Sequence, residues 1–256
     1  MGMRTTIKLI LAVAVGMCVG CLTPPPQLKY VVKAKPEIRG ASASYAHDPA
    51  DSSVVWEEEG LEIRVRHLDD DQLDSRFDPK VSPYTLGDWK DPDLGYRPPL
   101  WTALEVTVIN RTRERVELDP TQAILRLADG RYFFCSQGVG KYVDAEHYYD
   151  YSYLKWSADA GNVEFYRQND RADILNRTQY LREKPIRKGR KYVGILTFPR
   201  LPEDAVDFTL EVNNFILAFD RFEVGYGNPV EFIDLKFPFK VEQSVVEVSS
   251  TAGSGR

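Results

Sequence analysis

The chain has 256 residues and a formal net charge of −5, with 43% hydrophobic and 12% aromatic residues. An acidic balance of this kind gives no electrostatic footprint for nucleic acid, and the roughly 200 residues beyond the N-terminal segment suffice for one good core. After its leader, no apolar run approaches the ~18 residues a membrane-spanning helix needs.

The first feature in chain order is LAVAVGMCVGCLTPPP. Arg4 and Lys8 precede an apolar run too short to cross a ~30 Å hydrocarbon core comfortably, which is the layout of a secretory signal. Cys18 and Cys21 sit inside that leader and run into three prolines, whereas a redox Cys-x-x-Cys follows a strand in a folded α/β unit. A zinc clip would need a second ligand pair, and Cys135, His47, His67 and His147 are scattered singly. The stretch resembles the lipobox of bacterial lipoproteins, with Val19 and Gly20 before Cys21 and with Cys18 where that family usually has Leu. Gly16, Met17 and Cys18 form a poorer alternative box. The resemblance implies a signal peptide over residues 1–20 and a lipid on Cys21, which anchors the chain in the cell envelope. With Leu22 and not Asp next, it implies the outer membrane, facing the periplasm, of a Gram-negative host. An uncleaved anchor or an ordinary signal peptide would also leave the domain outside the cytoplasm. Loss of residues 1–20 removes two of 33 basic residues and none of 38 acids, taking the net charge from −5 to −7.

Residues 21–53 are rich in Pro, Ala and Ser without a sustained period, and are expected to form a flexible tether. Its Lys29, Lys33, Lys35 and Arg39 would either attract anionic headgroups or stay solvated. Strands are predicted at 61–68, 100–110, 114–119, 122–134, 191–199 and 207–215. Most have the alternation of a half-buried sheet, as in Leu61, Ile63, Val65 and Leu104, Val106, Val108. Asp129-Gly130 splits the fourth into a hairpin of 122–127 with 131–134. Helices are predicted over 143–156 and 171–184, the second stopped by Pro185 and Gly189. After Phe215 come one or two further strands, with Pro238 marking an edge or a break, and 249–256 reads as a disordered tail.

Strands joined by short turns argue for an antiparallel sandwich. The order VIN, VELD, ILRLADGRYF and KGRKYVGILTFPRLPEDAVDFTLEV, over 100–134 and 188–212, resembles immunoglobulin-like domains of bacterial extracytoplasmic lipoproteins. What it implies is scaffold and not activity: a mainly β chain with an immunoglobulin-like antiparallel β-sandwich over 54–248. A loop insertion at about 69–99 and a small helical insertion at about 136–190 interrupt it.

Asp69, Asp70, Asp71 and Asp74 gather the oxygen chemistry of a Ca²⁺ site, but without EF-hand spacing, so a solvated acidic loop is the plainer reading. Asp144 and His147 would share a helix face, a pair able to bind metal or act as base and orienter, with no third ligand in view. No nucleophile elbow, metalloprotease helix, P-loop or dinucleotide fingerprint occurs. Tyr142, Tyr148, Tyr149, Tyr151, Tyr153 and Trp156 crowd fifteen residues. With Trp89 and Tyr96 of the first insertion and with Trp101, they either roof the sheet or form a partner surface, since Tyr and Trp dominate interface hot spots. The same rings suit a glycan. Cys135 is expected to be a small buried hydrophobe. The expectation is a non-catalytic, lipid-anchored protein-binding or structural module without a cofactor, whose partners are the membrane and another envelope protein. A glycan or peptidoglycan binder is the alternative, and a metal-dependent hydrolase the third reading.

Overall fold

The structure, a computed structural model, describes residues 27–38, 44–87, 90–136, 162–181, 185–220 and 227–248. Period-2 alternation explains most of its strands. In chain order these are β1 (Gln27–Pro36), β2 (Tyr45–Asp48), β3 (Ser53–Glu58), β4 (Leu61–Leu68), β5 (Trp101–Asn110), β6 (Arg115–Val116), β7 (Ala123–Leu127), β8 (Tyr132–Phe134), β9 (Ile186–Arg187), β10 (Arg190–Pro199), β11 (Asp207–Phe219) and β12 (Pro229–Val248). Helix α1 (Asp70–Arg76) follows β4, and α2 (Asn162–Thr178) lies between β8 and β9.

The chain is mainly β, and its sheets are antiparallel and not closed. One five-stranded sheet has the order β1-β12-β11-β7-β8, a second the order β10-β5-β4-β3-β2, and β6 pairs with β9. The inward residues of both large sheets share one core: Phe208, Leu210, Phe237 and Phe239 from the first, Ile63, Val65, Leu104 and Val106 from the second. Phe208 stacks on Phe239 with ring centres 5.1 Å apart. Glu59 and Gly60 both have positive φ, 50° and 79°, the backbone a two-residue hairpin turn needs between β3 and β4.

A second cluster covers the other face of the second sheet. Leu68, Trp101, Ala103 and Ile195 of the sheet are met by Leu73 of α1, by Tyr84 and Leu86 after it, and by Ile174 and Leu175 of α2. The first insertion therefore contains a helix, started by a capping box in which Asp69 and Gln72 exchange hydrogen bonds. Helix α2 begins nine residues before the predicted start and ends at Thr178, because the chain then runs as extended backbone beside β10, Tyr180 N–H donating to Ile195 C=O at 2.9 Å. Gly194 permits this approach: a Cβ there would lie 2.6 Å from Tyr180 Cα.

The tether expectation fails where β1 begins. Residues 27–36 pair with the end of β12 over ten positions, from Gln27↔Val248 to Pro36↔Phe239, and β2 pairs with β3. Val32 and Ala34 pack against the core while Lys33 and Lys35 face water. Pro and Ala content signals a linker, but alternation in this stretch already encodes an edge strand. Pro238 does not break β12. Its carbonyl accepts from Glu37 N–H at 3.0 Å on the β1 side, so its missing N–H falls on the last rung of that ladder and costs nothing toward β11.

Candidate functional site

The strand edge that replaces the tether creates a pocket. β1, the end of β4, the start of α1 and residues 99–102 enclose a cavity of ≈ 30 Å³ with Lys29, Tyr30, His67, Asp70, Trp101 and Thr102 in its wall. That is room for about two waters, far below the ~300 Å³ where small-molecule sites begin. Tyr30 stacks on Tyr96, centroids 5.5 Å apart, and donates its hydroxyl proton to Gln243 at 2.5 Å. Trp101 donates its indole N–H to Pro83 C=O at 3.3 Å.

Two titratable groups in this wall are displaced toward neutrality. Burial pushes Asp70 up to about 7, with Asp74, Asp69 and Asp71 adding to the rise and Arg97 opposing it. The single guanidinium is outweighed because it is shared: Arg97 lies 3.2 Å from Asp70 and 2.8 Å from Asp74. Burial alone pushes His67 down to about 4. Among the described residues no carboxylate offsets that burial.

The acids proposed for calcium are engaged elsewhere. Asp69 caps α1 by accepting from Gln72 N–H at 2.8 Å. Asp71 pairs with Lys29, Asp70 and Asp74 share Arg97, and Asp74 also accepts from the Thr85 hydroxyl at 2.7 Å. Their carboxylates fan outward from the start of the helix to the Gln72 N–H, Lys29 and the shared Arg97. Among the described residues no three His, Cys, Asp or Glu side chains come together as a metal site. Nor is any helix among them long and apolar enough to cross a membrane.

Tyr96, a candidate contact residue, is only 9% exposed, closed over by Tyr30. Trp89, Tyr142, Asp144, His147, Tyr148, Tyr149, Tyr151, Tyr153, Trp156 and the lipidation candidate Cys21 lie outside the described residues. Cys135 is buried in the main core. Among the described residues, the large aromatics that face solvent are on the first sheet: Tyr132 and Phe134 of β8, 52% and 60% exposed, and Phe232 of β12. Tyr132 and Phe134 meet edge to face at 5.4 Å, with the Arg126 guanidinium 5.7 Å above the Tyr132 ring. Sequence reasoning overlooked this pair, although three consecutive aromatics in a strand force one parity outward.

The second sheet carries ions on its outer surface instead. Glu62, 3% exposed, sits between Arg64 and Arg111, and these guanidinium groups hold its carboxyl below the usual range against the cost of burial. Glu105 is gripped likewise by Arg66 and Arg76. Each of these carboxylates is thus held by two guanidinium groups.

No protein-family model, curated protein or solved structure matches the chain.

Proposed function

We propose that this chain is a lipid-anchored cell-envelope module, held by a lipid on Cys21 at the outer membrane facing the periplasm, that binds another envelope protein and performs no catalysis. Its scaffold is an immunoglobulin-like sandwich, a reading supported by two antiparallel sheets that bury one shared core. What supports the non-catalytic reading among the described residues is that Asp69, Asp71 and Asp74 of the acidic turn are engaged by a helix cap, Lys29 and Arg97, and that no three His, Cys, Asp or Glu side chains gather as a site. The envelope address rests on the leader and the lipobox-like Val19-Gly20-Cys21.

Crosslinking in native membranes followed by affinity recovery tests this reading, with the tagged wild type run beside Cys21→Ala. The expected result is a reproducible envelope protein recovered with the wild type, and release of Cys21→Ala from the membrane fraction. Recovery of cell-wall fragments alone would replace it with the glycan reading. Wild type found in the cytoplasmic fraction would end the envelope assignment.

A further inference from the structure

We propose that the turn between β9 and β10, Arg187-Lys188-Gly189-Arg190, is where a carboxylate-rich segment of the envelope partner docks. This inference gives the partner a chemistry and rests on the reading proposed above. The three cations of the turn are exposed, and among the described residues none of them forms an ion pair. In a chain of 38 acids against 33 basic residues that is a local exception. The neighbouring arginines show the rule: Arg111 meets Glu57 and Glu62, Arg113 meets Glu59 and Glu231, and Arg115 meets Glu117. Arg187 stands directly opposite Arg115 across β6 and β9, and like charges so placed cost stability. Glu114 is exposed beside the turn and its C=O accepts from Lys188 N–H at 3.2 Å, yet its carboxylate takes none of the three.

The turn is held in place from below. Asn110, fully buried, donates from its amide to Ile186 C=O and Arg113 C=O, both at 2.8 Å, and accepts from Arg113 N–H at 2.9 Å. Its own C=O accepts from Gly189 N–H at 2.6 Å, and Gly189 stands at φ 74°, where glycine is favoured. A four-residue turn brings its first and last Cα within about 7 Å, less than the ~8 Å Debye length at physiological salt, so the three charges act together on one anionic segment. Lys191 is left out, because alternation along β10 sends it to the other side of the strand from Arg190. The turn borders the outer face of the first sheet: Glu117, two residues after Arg115, pairs with Ile216, and Ile216 with the half-exposed Phe232. It also stands away from the anchor. The pocket wall joins Lys29 of β1 to Trp101, where β5 begins, and β5 ends at Asn110 beneath the turn, roughly 30 Å along the strand. A protein segment rich in Asp or Glu, and not the headgroups of the anchoring membrane, is the occupant that this position and charge fit.

The test uses the full lipidated protein in phosphatidylcholine vesicles, with fluorescent decaglutamate as the probe. The triple change Arg187→Gln, Lys188→Gln, Arg190→Gln should weaken probe binding roughly tenfold. The charge-matched control on the first sheet, Lys33→Gln, Lys35→Gln, Lys240→Gln, should change it by less than about twofold. The urea midpoint of the turn variant should be no lower than that of the wild type, since a like-charge pair is relieved. Lys188→Gln alone, at the exposed tip, should cost about twofold and carries the test if the triple change unfolds the protein. In native membranes, decaglutamate should displace the partner from the wild type. Equal probe binding by wild type and turn variant, or binding by neither, with an envelope protein still recovered, overturns the turn and leaves the partner reading standing. Retention on purified peptidoglycan that the turn variant loses, without probe binding, gives the turn to the cell wall and overturns the protein segment. Recovery of no envelope protein by the wild type overturns both readings.

Discussion

The two large sheets are built alike inside and finished differently outside. The second sheet has its outer face roofed at one end by α1, Tyr84, Leu86 and α2, and elsewhere carries the Glu62 and Glu105 ion networks. On the first sheet, Tyr132, Phe134 and Phe232 point outward half-exposed. A sheet buried on both faces can carry near-continuous apolar strands, and β5 does so, with eight of its ten positions buried. The comparison locates the work of the first insertion. Long loops commonly present binding residues, but this one turns Leu73, Tyr84 and Leu86 onto the second sheet, and among the described residues the exposed rings stand on strands of the first.

Breaking the shared core has the largest expected effect. Phe237 is fully buried between the sheets, and Phe237→Ala should cost about 4 kcal/mol. Leu73→Ala, in the roof, should cost about 3 kcal/mol. Denaturant titration gives the sizes, and hydrogen exchange separates the mechanisms. Phe237→Ala should raise exchange in both sheets, whereas Leu73→Ala should raise it chiefly in α1 and the 77–86 segment. Equal loss of protection everywhere in both variants would show that roof and core are one cooperative unit.

How far this organisation was legible follows from what each signal measures. β4 emerges over the very residues its alternation predicts, and the Asp129-Gly130 hairpin stands as expected, Gly130 at φ 91°. Those elements are local, decided by period and turn chemistry. β1 was hidden because composition outweighed a weak alternation whose meaning depends on a partner, β12, more than 200 residues away. Such pairing has no local signature. β3 was passed over for a related reason: Val54 and Trp56 alternate inward, but the acidic run after them resembles a solvated loop. At the pocket, the acidic turn was visible and its purpose was not, because Arg97 and Lys29, which decide it, arrive from other elements.

The pocket sharpens the comparison through pH. Asp70 at about 7 in the folded chain, against an ordinary 3.8, contributes stability that is complete below 3.8 and is lost as pH rises through 7. His67 at about 4, against 6.5, works the other way: its contribution is complete above 6.5 and is lost as pH falls through 4. Between pH 4 and 6.5 the two slopes oppose, each limited to about 1.4 kcal/mol per pH unit, so the wild type should be nearly flat there. Asp70→Asn removes one of them. The variant should lose about 1 kcal/mol per pH unit from 6.5 to 4 and should exceed the wild type in stability above pH 7. Glu62 and Glu105, both held low by arginine, add to the loss only below about 4.5. Urea midpoints across pH 4 to 8 test this, and a flat Asp70→Asn profile would mean that His67 is not the opposing group.

The smallest effect on stability belongs to the bare sheet, and it is the most informative about function. Tyr132 and Phe134 are more than half exposed on an edge strand of three residues, so truncating both removes little buried area. What is lost inside the fold is their edge-to-face contact and the weak hold of Arg126. Arg126 keeps its 2.9 Å ion pair with Glu211, so no charge is stranded. The double change Tyr132→Ala, Phe134→Ala should therefore alter stability by about 1 kcal/mol or less. If the outer face of this sheet is where a partner docks, the same double change should abolish recovery of that partner from native membranes, because clustered aromatics beside an arginine are where interface energy concentrates. A matched pair on the ionic face, Glu57→Ala with Arg111→Ala, should leave recovery intact. The reverse outcome, recovery surviving the aromatic change and failing with the ionic one, would move the recognition surface to the second sheet.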